Sequence, residues 1–280
     1  TLHNIAATQT GTASPDSIFV IGAHYDDMPS TGTAPGADDN ASGVAAVMTA
    51  AELLAGRPFR YTIKYLCFGG EEQGTNGSEA WAAWARAQNL AIVAMLNFDM
   101  IGWWTAGVDF DLEVEVGTAM TWLSDVITGA AALYTTMPCH VHVDDGAWWG
   151  DHYPFWQQGY HAANHEEAWD WGDPDFNPNY HTSKDTVARL SADYAVGCTK
   201  VAVATLATLA TLDPLSGVDE PPPARPGPTL AAYPNPFNPR VVLAFTLPRA
   251  GRARLTVHDL AGRLVAAPVA GDFPAGRHET

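Results

Sequence analysis

Apolar runs that end in glycine or acidic residues recur through the first 213 residues. Ile18 to Ile21 is continuously apolar and Tyr61 to Phe68 is nearly so, which is typical of strands buried on both faces of a sheet. The predicted strands are Asn4 to Thr10, Ser17 to Ala23, Tyr61 to Phe68, Ala91 to Phe98, Asp111 to Val116 and Val141 to Val143, with a further strand after residue 158. Helical patterns separate them, at Ser42 to Leu54, Ser78 to Gln88, Met120 to Tyr134, 151 to 158 and Ser191 to Leu212. This alternation predicts an α/β fold with a largely parallel sheet and helices on both faces.

The pattern changes after residue 213. Residues 214–228 are proline-rich and have no apolar period, as expected of a semi-stiff linker. From residue 229 to 280, apolar and polar residues alternate over Val241 to Leu247 and Arg252 to His258. The chain therefore divides into an α/β domain at 1–213, a linker at 214–228 and a small all-β module at 229–280.

The net charge of −17 is unevenly distributed. Residues 229–280 hold six arginines against three acidic residues and carry +3, which leaves −20 on residues 1–228. A domain this acidic repels nucleic acid but suits hard cations and cationic amines. No apolar stretch approaches the roughly 18 residues of a membrane span.

Three cysteines, Cys67, Cys139 and Cys198, are too few for a disulfide framework. Buried free thiols are the expectation, and a single bridge in an oxidising compartment is the alternative.

Histidine and carboxylate side chains collect where the predicted strands end. Parallel strands place their carboxyl ends on one rim of the sheet, so these residues should meet there. They are His24, Asp38, Glu71, Glu72 and Asp99, with His181 added after a long gap. Their mutual repulsion would be relieved by bound cations. Mixed oxygen and imidazole ligands suit zinc, with manganese or cobalt as substitutes.

At these positions the sequence resembles the di-zinc aminopeptidase family, typified by bacterial leucyl aminopeptidases. The resemblance covers residues 4 to 212. It rests on the motifs His24-Tyr25-Asp26, Gly36-Ala37-Asp38-Asp39-Asn40-Ala41-Ser42-Gly43, Gly70-Glu71-Glu72-Gln73-Gly74, Asn97-Phe98-Asp99-Met100-Ile101-Gly102 and Tyr180-His181-Thr182. It implies a three-layer αβα sandwich with a mixed, mainly parallel sheet, the zinc exopeptidase fold.

The resemblance also implies roles. Asp38 would bridge two zinc ions, and a cis peptide would join Asp38 to Asp39. One site would be completed by Glu72 and His181, and the other by His24 and Asp99. Glu71 would be the general base and not a ligand. The substrates would be peptides with a free N-terminus.

Further residues take supporting roles in the same resemblance. Asp26 would orient the imidazole of His24, and Asp151, in the segment Gly150-Asp151-His152, would support the site from behind. Tyr180 would donate to the oxyanion, or else would simply pack. The candidate pocket for an apolar N-terminal side chain consists of Met100, Trp148, Trp149, Phe155 and Tyr160, each of which could instead belong to the core.

The C-terminal module bears a second resemblance. The segments Tyr233-Pro234-Asn235-Pro236-Phe237-Asn238-Pro239 and Val257 to Val265 are similar to the Ig-like sorting modules of secreted bacterial proteins. This implies a secreted or cell-surface enzyme and a contact with secretion machinery. We expect this copy of the module to be incomplete, with a generic β-sandwich appendage as the alternative.

The expected function is therefore a secreted metallo-aminopeptidase that hydrolyses the first peptide bond of peptides with apolar N-terminal residues. A glutaminyl cyclase-like zinc acyltransferase shares much of the motif set and remains an alternative. So does a non-catalytic, metal-stabilised surface protein.

Overall fold

The computed structural model of the protein describes residues 3–30, 32–170, 172–211, 229–233, 242–247, 250–258 and 264–280. The chain separates into two compact units, Thr1–Pro214 and Leu215–Thr280. The proline-rich linker predicted at 214–228 lies outside the described residues, as does much of both sorting-module motifs.

The first unit is built on one seven-stranded sheet. Its strands are β1 (Ile5–Gln9), β2 (Ser14–His24), β3 (Tyr61–Phe68), β4 (Ala91–Asn97), β5 (Leu112–Val116), β6 (Cys139–Val143) and β7 (Ala162–Glu166). The strand order is β1-β3-β2-β4-β7-β5-β6. β1 runs antiparallel to β3 and β5 antiparallel to β7, while the other neighbours are parallel. The sheet is mixed and mainly parallel, which confirms the predicted fold class.

Helices cover both faces of this sheet. They are α1 (Ala41–Leu54), α2 (Asn76–Ala87), α3 (Thr121–Tyr134), α4 (Tyr153–Gln157) and α5 (Ala192–Thr211). Residues of α1, α3 and α5 share one core cluster, and residues of α2 and α4 share the other. Strand β2 shows why both layers form: Phe19 and Ile21 face the first cluster, and Ile18 and Val20 face the second.

The starts of α1 and α2 differ in their local contacts. Asn40 caps α1, because its side chain accepts a hydrogen bond from the Gly43 amide. Helix α2 begins at Asn76, two residues before the predicted start at Ser78, which is buried and donates to the Thr75 carbonyl.

Helix α5 lies at the centre of the first helical layer. It packs on α1, α3, β2 and β3, and buries Cys198, Val201 and Leu206 among other residues. By length and composition alone it could cross a membrane, which the sequence pattern did not predict. Its apolar residues are those of a core helix.

The three cysteines are free; Cys67 and Cys198 are buried and Cys139 is partly buried. This agrees with the expectation of free thiols.

The second unit consists of antiparallel strands. β8 (Thr229–Tyr233), β9 (Val242–Leu247) and β12 (Gly276–Glu279) form one sheet, and β10 (Gly251–His258) and β11 (Leu264–Phe273) form another. Phe245 of β9 contacts Phe273 of β11 edge to face, with ring centroids 5.3 Å apart. The alternating pattern predicted the β9 and β10 strands closely.

Candidate active site

The carboxyl ends of three adjacent strands bring the candidate site together. His24 is the last residue of β2, while Glu71 and Glu72 follow β3 and Asp99 follows β4. Because β2 lies between β3 and β4, these side chains share one rim of the sheet. His181 arrives from the loop between β7 and α5, with its backbone in the left-handed region at φ 56°. That conformation is strained for a histidine and is typical of functional loops.

Asp39 stands between two groups of side chains. Its Oδ1 lies 3.2 Å from Nε2 of His24, and its Oδ2 lies 3.2 Å from Nε2 of His181. Asp99 Oδ1 is 3.2 Å from the same His24 nitrogen, and Glu72 Oε2 is 2.8 Å from the His181 nitrogen. Within each group the ligand-type atoms all lie within 4.8 Å of one another. One carboxylate therefore connects two sets of one histidine and one acid.

The expectation that Asp38 is the bridging carboxylate is wrong. Asp38 is buried and turned away: Oδ1 accepts the Gly102 amide at 2.7 Å, and Oδ2 accepts the Asn177 amide nitrogen at 2.8 Å. Burial raises the pKa of Asp38 to about 6, against the hydrogen bonds that lower it. The cis peptide bond is likewise one residue further on, between Asp39 and Asn40. Since neighbouring side chains leave the backbone in different directions, only one of the two aspartates can reach the rim.

Asp185 holds the loop that presents Asp39. Its carboxylate accepts hydrogen bonds from the amides of Asp38 and Asp39 at 3.0 to 3.2 Å. Glu167 supports the same region by accepting the amides of Asn177 and Trp103. None of Asp185, Asn177 and Glu167 was predicted from the sequence. The signal that could have found Asp185 is its position four residues after the predicted ligand His181.

Asp26 acts by a different route from the one expected. The Nδ1 of His24 lies 3.0 Å from the backbone carbonyl of Asp26, whereas the nearer carboxylate oxygen is 3.8 Å away. The carboxylate instead accepts the amides of Glu71 at 3.1 Å and Glu72 at 3.3 Å. Asp26 thus fixes both the imidazole and the turn that carries the two glutamates.

The crowding of acids perturbs their protonation. Burial raises the pKa of Glu71 to about 9, and Asp99, Asp151 and Glu72 add to the rise. Burial also raises the pKa of Glu72 and of Asp151 to about 7 in each case. For His24, burial alone would lower the pKa, but Asp99 and Asp39 raise it well above its ordinary value. The site as a whole favours positive charge.

Several predicted residues line a cavity of about 580 Å³ beside these groups. Glu71 opens onto it with His24, Asp39 and Asp99, yet belongs to neither ligand group. Tyr180 also lines it and stacks on the His181 ring, with centroids 3.7 Å apart. A carboxylate in contact with the cavity but outside both groups is free to act on protons.

The aromatic wall of this cavity is partly as expected. Met100, Trp148 and Trp149 line it, together with Trp169 and Phe176. The assignment of Phe155 and Tyr160 to the pocket is wrong. Both are buried in the second core cluster, where Phe155 packs on Phe68 and Trp81 and Tyr160 packs on Phe155.

Asp151 lies behind the site. It is completely buried, and neither carboxylate oxygen makes a hydrogen bond in the described structure. Its charge acts on His24, Asp99 and Glu71, so it lies close enough to influence the His24 group. This position agrees with a supporting role.

The residues present fit a pair of zinc ions. Each group supplies an imidazole and carboxylates, which is the donor set zinc uses in proteins. His181 Nε2 is buried and close to two carboxylates, yet makes no hydrogen bond of normal geometry. Such a nitrogen is oriented for coordination. The residues that would hold the ions are His24, Asp39, Glu72, Asp99 and His181.

Comparison with known proteins agrees with this geometry. Residues 4–206 match the model of Peptidase family M28. Leucine aminopeptidase 1 of Trichophyton equinum is 32% identical over 224 residues, which cover 74% of this chain and 58% of that protein. The LapA aminopeptidase of Legionella pneumophila superposes with a TM-score of 0.64 at 26% identity, covering 75% of this chain and 55% of that one.

The fold and site thus define a metallopeptidase-type α/β domain, and the chain belongs to Peptidase family M28. The zinc aminopeptidase BSAP of Bacillus subtilis is a further structural relative, with a TM-score of 0.63, 25% identity, and coverage of 74% of this chain and 50% of that one. The glutaminyl cyclase of Porphyromonas gingivalis, at a TM-score of 0.57 and 20% identity, shares the fold. The chain spans a little over half the length of the leucine aminopeptidase relatives it matches.

Proposed function

We propose that the chain is a zinc-dependent aminopeptidase that removes N-terminal residues from peptides. The observation that carries the proposal is the position of Asp39 between two histidine–carboxylate groups, with Glu71 in the same cavity but outside both. The names of the relatives, which are leucine and zinc aminopeptidases, support the same reaction.

The two zinc ions would supply an activated water and a polarised substrate carbonyl. Glu71 accepts the proton of the attacking water as the new C–O bond forms. It then gives that proton to the leaving amine as the C–N bond breaks. Glu71 must be ionised to accept this proton, and bound cations would favour the ionised form of a carboxyl group whose pKa burial otherwise raises.

The acidic side chains also explain why a free N-terminus would be selected. Asp99 and Glu71 face the cavity where a substrate amine would lie. An internal peptide bond carries no such cation, so it would gain nothing from these carboxylates. Tyr180, beside His181, would donate to the developing oxyanion.

We infer that apolar N-terminal residues are preferred. Met100, Trp148 and Trp149 form an apolar wall of the cavity. A panel of aminoacyl p-nitroanilides measures this preference. Equal or faster turnover of glutamate and glycine substrates than of leucine would contradict it.

Manganese or cobalt would replace zinc with retained activity, since both accept the same donor set.

The C-terminal unit supports secretion or surface attachment through its likeness to sorting modules, with secretion machinery as the partner. Export of a reporter fused to residues 215–280 would test this.

The decisive experiment replaces Glu71 by glutamine. The variant should keep its zinc and its fold but lose about 10²- to 10⁴-fold in kcat/KM, because it can no longer carry the proton. Metal content and kcat/KM for leucine p-nitroanilide are measured on one sample, with Glu79→Gln, an exposed acid on α2, as the matched control. Full activity in Glu71→Gln would contradict proton transfer by Glu71. About one zinc per chain, with cyclisation of N-terminal glutamine, would favour the acyltransferase instead.

A further inference from the structure

A second set of histidine and carboxylate side chains lies on the far strands of the sheet. β5 and β6 are parallel neighbours, and Glu113 pairs with His140 in their register. Since side chains two residues apart point to the same face, His142 projects on the same side as His140. Asp111 immediately precedes β5. The proposed function uses none of these four residues.

The distances within this set are short. His140 Nδ1 lies 3.0 Å from Asp111 Oδ2 and 3.5 Å from Glu113 Oε1. His142 Nε2 lies 2.5 Å from the other Glu113 oxygen. Donor atoms around a tetrahedral zinc with bonds of 2.0–2.2 Å are spaced about 3.4 Å apart. The atoms of Asp111, Glu113 and His140 already lie near that spacing.

The charge of the set is not balanced by lysine or arginine. In the part of the chain that the structure describes, the ion-pair partners of Asp111 and Glu113 are the two histidines. Both carboxylates are largely buried, with side-chain exposures of 6% and 11%. A single ring nitrogen of His140 faces both acids, and it can carry only one proton. A divalent cation between Asp111, Glu113 and His140 would satisfy both carboxylates and the His140 ring together.

The ligand types select the cation. Calcium and magnesium take oxygen ligands, whereas an imidazole beside carboxylates favours zinc and its neighbours in the transition series. His140 is exposed, with 63% of its side chain accessible. An ion could therefore enter from solvent, and water could complete its coordination.

We propose that Asp111, Glu113 and His140 form a third metal site, for a divalent transition ion such as zinc, with His142 positioning the Glu113 carboxylate. The site would be structural, because it fixes the edge strand β6 to β5. It also reaches the cavity wall: the His142 ring stacks on Trp169, with centroids 3.9 Å apart, and Trp169 lines the cavity. The metal would thereby hold an aromatic side of the substrate cavity.

Counting zinc tests the proposal without reference to turnover. After zinc loading and gel filtration, the full chain should hold about three ions, and Glu113→Gln or His140→Ala should hold about two. Asp125→Asn, an exposed acid on α3, is the matched control for charge and should retain three. Equal zinc contents in the full chain and in both variants would overturn the site.

The same count separates this site from the candidate catalytic one. Asp39→Ala should lose the ions bound near His24 and His181 but keep about one, and adding Glu113→Gln should remove it. If Asp39→Ala and the double variant hold the same zinc, the third site is wrong, whatever the catalytic result.

Thermal unfolding gives an independent readout that covers the case of poor metal retention. Zinc should raise the Tm of Asp39→Ala and should raise that of Asp39→Ala/Glu113→Gln much less. Circular dichroism before zinc addition establishes that both variants are folded. Should either be unfolded, His140→Gln in the Asp39→Ala background replaces it and should show the same lost zinc response. An equal zinc shift in folded samples contradicts the proposal.

Discussion

Asp38 and Asp39 are adjacent and chemically identical, yet the structure gives them different tasks. Asp39 directs one oxygen to each candidate metal group, while Asp38 accepts the Gly102 amide and the Asn177 side chain. Loss of supporting contacts typically lowers metal affinity or activity by about 10- to 100-fold, so loss of a shared ligand should cost at least that much. We expect Asp39→Asn to lower kcat/KM at least about a hundredfold and to reduce bound zinc.

The matched variant is Asp38→Asn. Its asparagine oxygen can still accept the Gly102 amide, so we expect zinc content to be unchanged and activity to fall far less. Zinc content and kcat/KM are measured for both variants. A larger zinc loss in Asp38→Asn than in Asp39→Asn would restore the original assignment to Asp38.

The sequence predicted the site to within one residue at this point, and the reason for the error is physical. Both aspartates follow the same loop, and which one faces the rim depends on the turn before α1. That turn is set by Asn40, whose side chain accepts the Gly43 amide and donates to the Phe98 carbonyl, and by Asp185 from a distant loop. Contacts that span about 150 residues, as from Asp38 to Asp185, leave no local pattern.

At the scale of elements, the strands were easier to predict than the loops. Tyr61 to Phe68 was predicted with the bounds of β3, because a strand buried on both faces is almost continuously apolar. Phe155 and Tyr160 show the limit: apolar residues near an aromatic loop fit a pocket wall or a core equally well. Only packing on Phe68 and the neighbouring residues places them in the core.

Strand β5 buries a carboxylate that should make stability depend on pH. Glu115 is almost fully buried, its Oε1 makes no hydrogen bond, and its neighbour across the ladder is Asn164. Burial, and then the charge of Asp144, raises the pKa of Glu115 to about 8, despite a hydrogen bond from Asn164. Between its unfolded pKa near 4.5 and this value, the folded state binds more protons than the unfolded state. The free energy of unfolding therefore decreases as pH rises through that range.

Glu115→Gln removes this dependence, because glutamine stays neutral. The variant should be more stable than the parent chain at pH 8, and the difference should shrink towards pH 5. Each pKa unit corresponds to at most about 1.4 kcal/mol. Urea unfolding at both pH values, at fixed metal content, gives the comparison, with Glu52→Gln, an exposed acid on α1, as control. A stability difference that does not change with pH would refute the buried, protonated carboxyl.

At the scale of the whole chain, charge and function separate into the same two parts. The net charge of −20 on residues 1–228 includes the acidic residues at the rim of the sheet, where bound cations would relieve their repulsion. Residues 229–280 carry +3, and none of those that the structure describes belongs to the candidate site. The seven-stranded sheet and the five α-helices of the described residues lie within Thr1–Pro214. Every element that positions the site therefore belongs to the first unit.

This division predicts that residues 1–214 suffice for catalysis. The shortened chain should keep the zinc content and kcat/KM of the full chain on leucine p-nitroanilide within about twofold, because the elements that position the site all lie in it. A cut after residue 190 instead removes α5 and with it the core residues Cys198, Val201 and Leu206. This shorter fragment should not fold. Circular dichroism and calorimetry on both fragments distinguish the cases. Loss of folding or activity in residues 1–214 would show that the C-terminal unit stabilises the catalytic one.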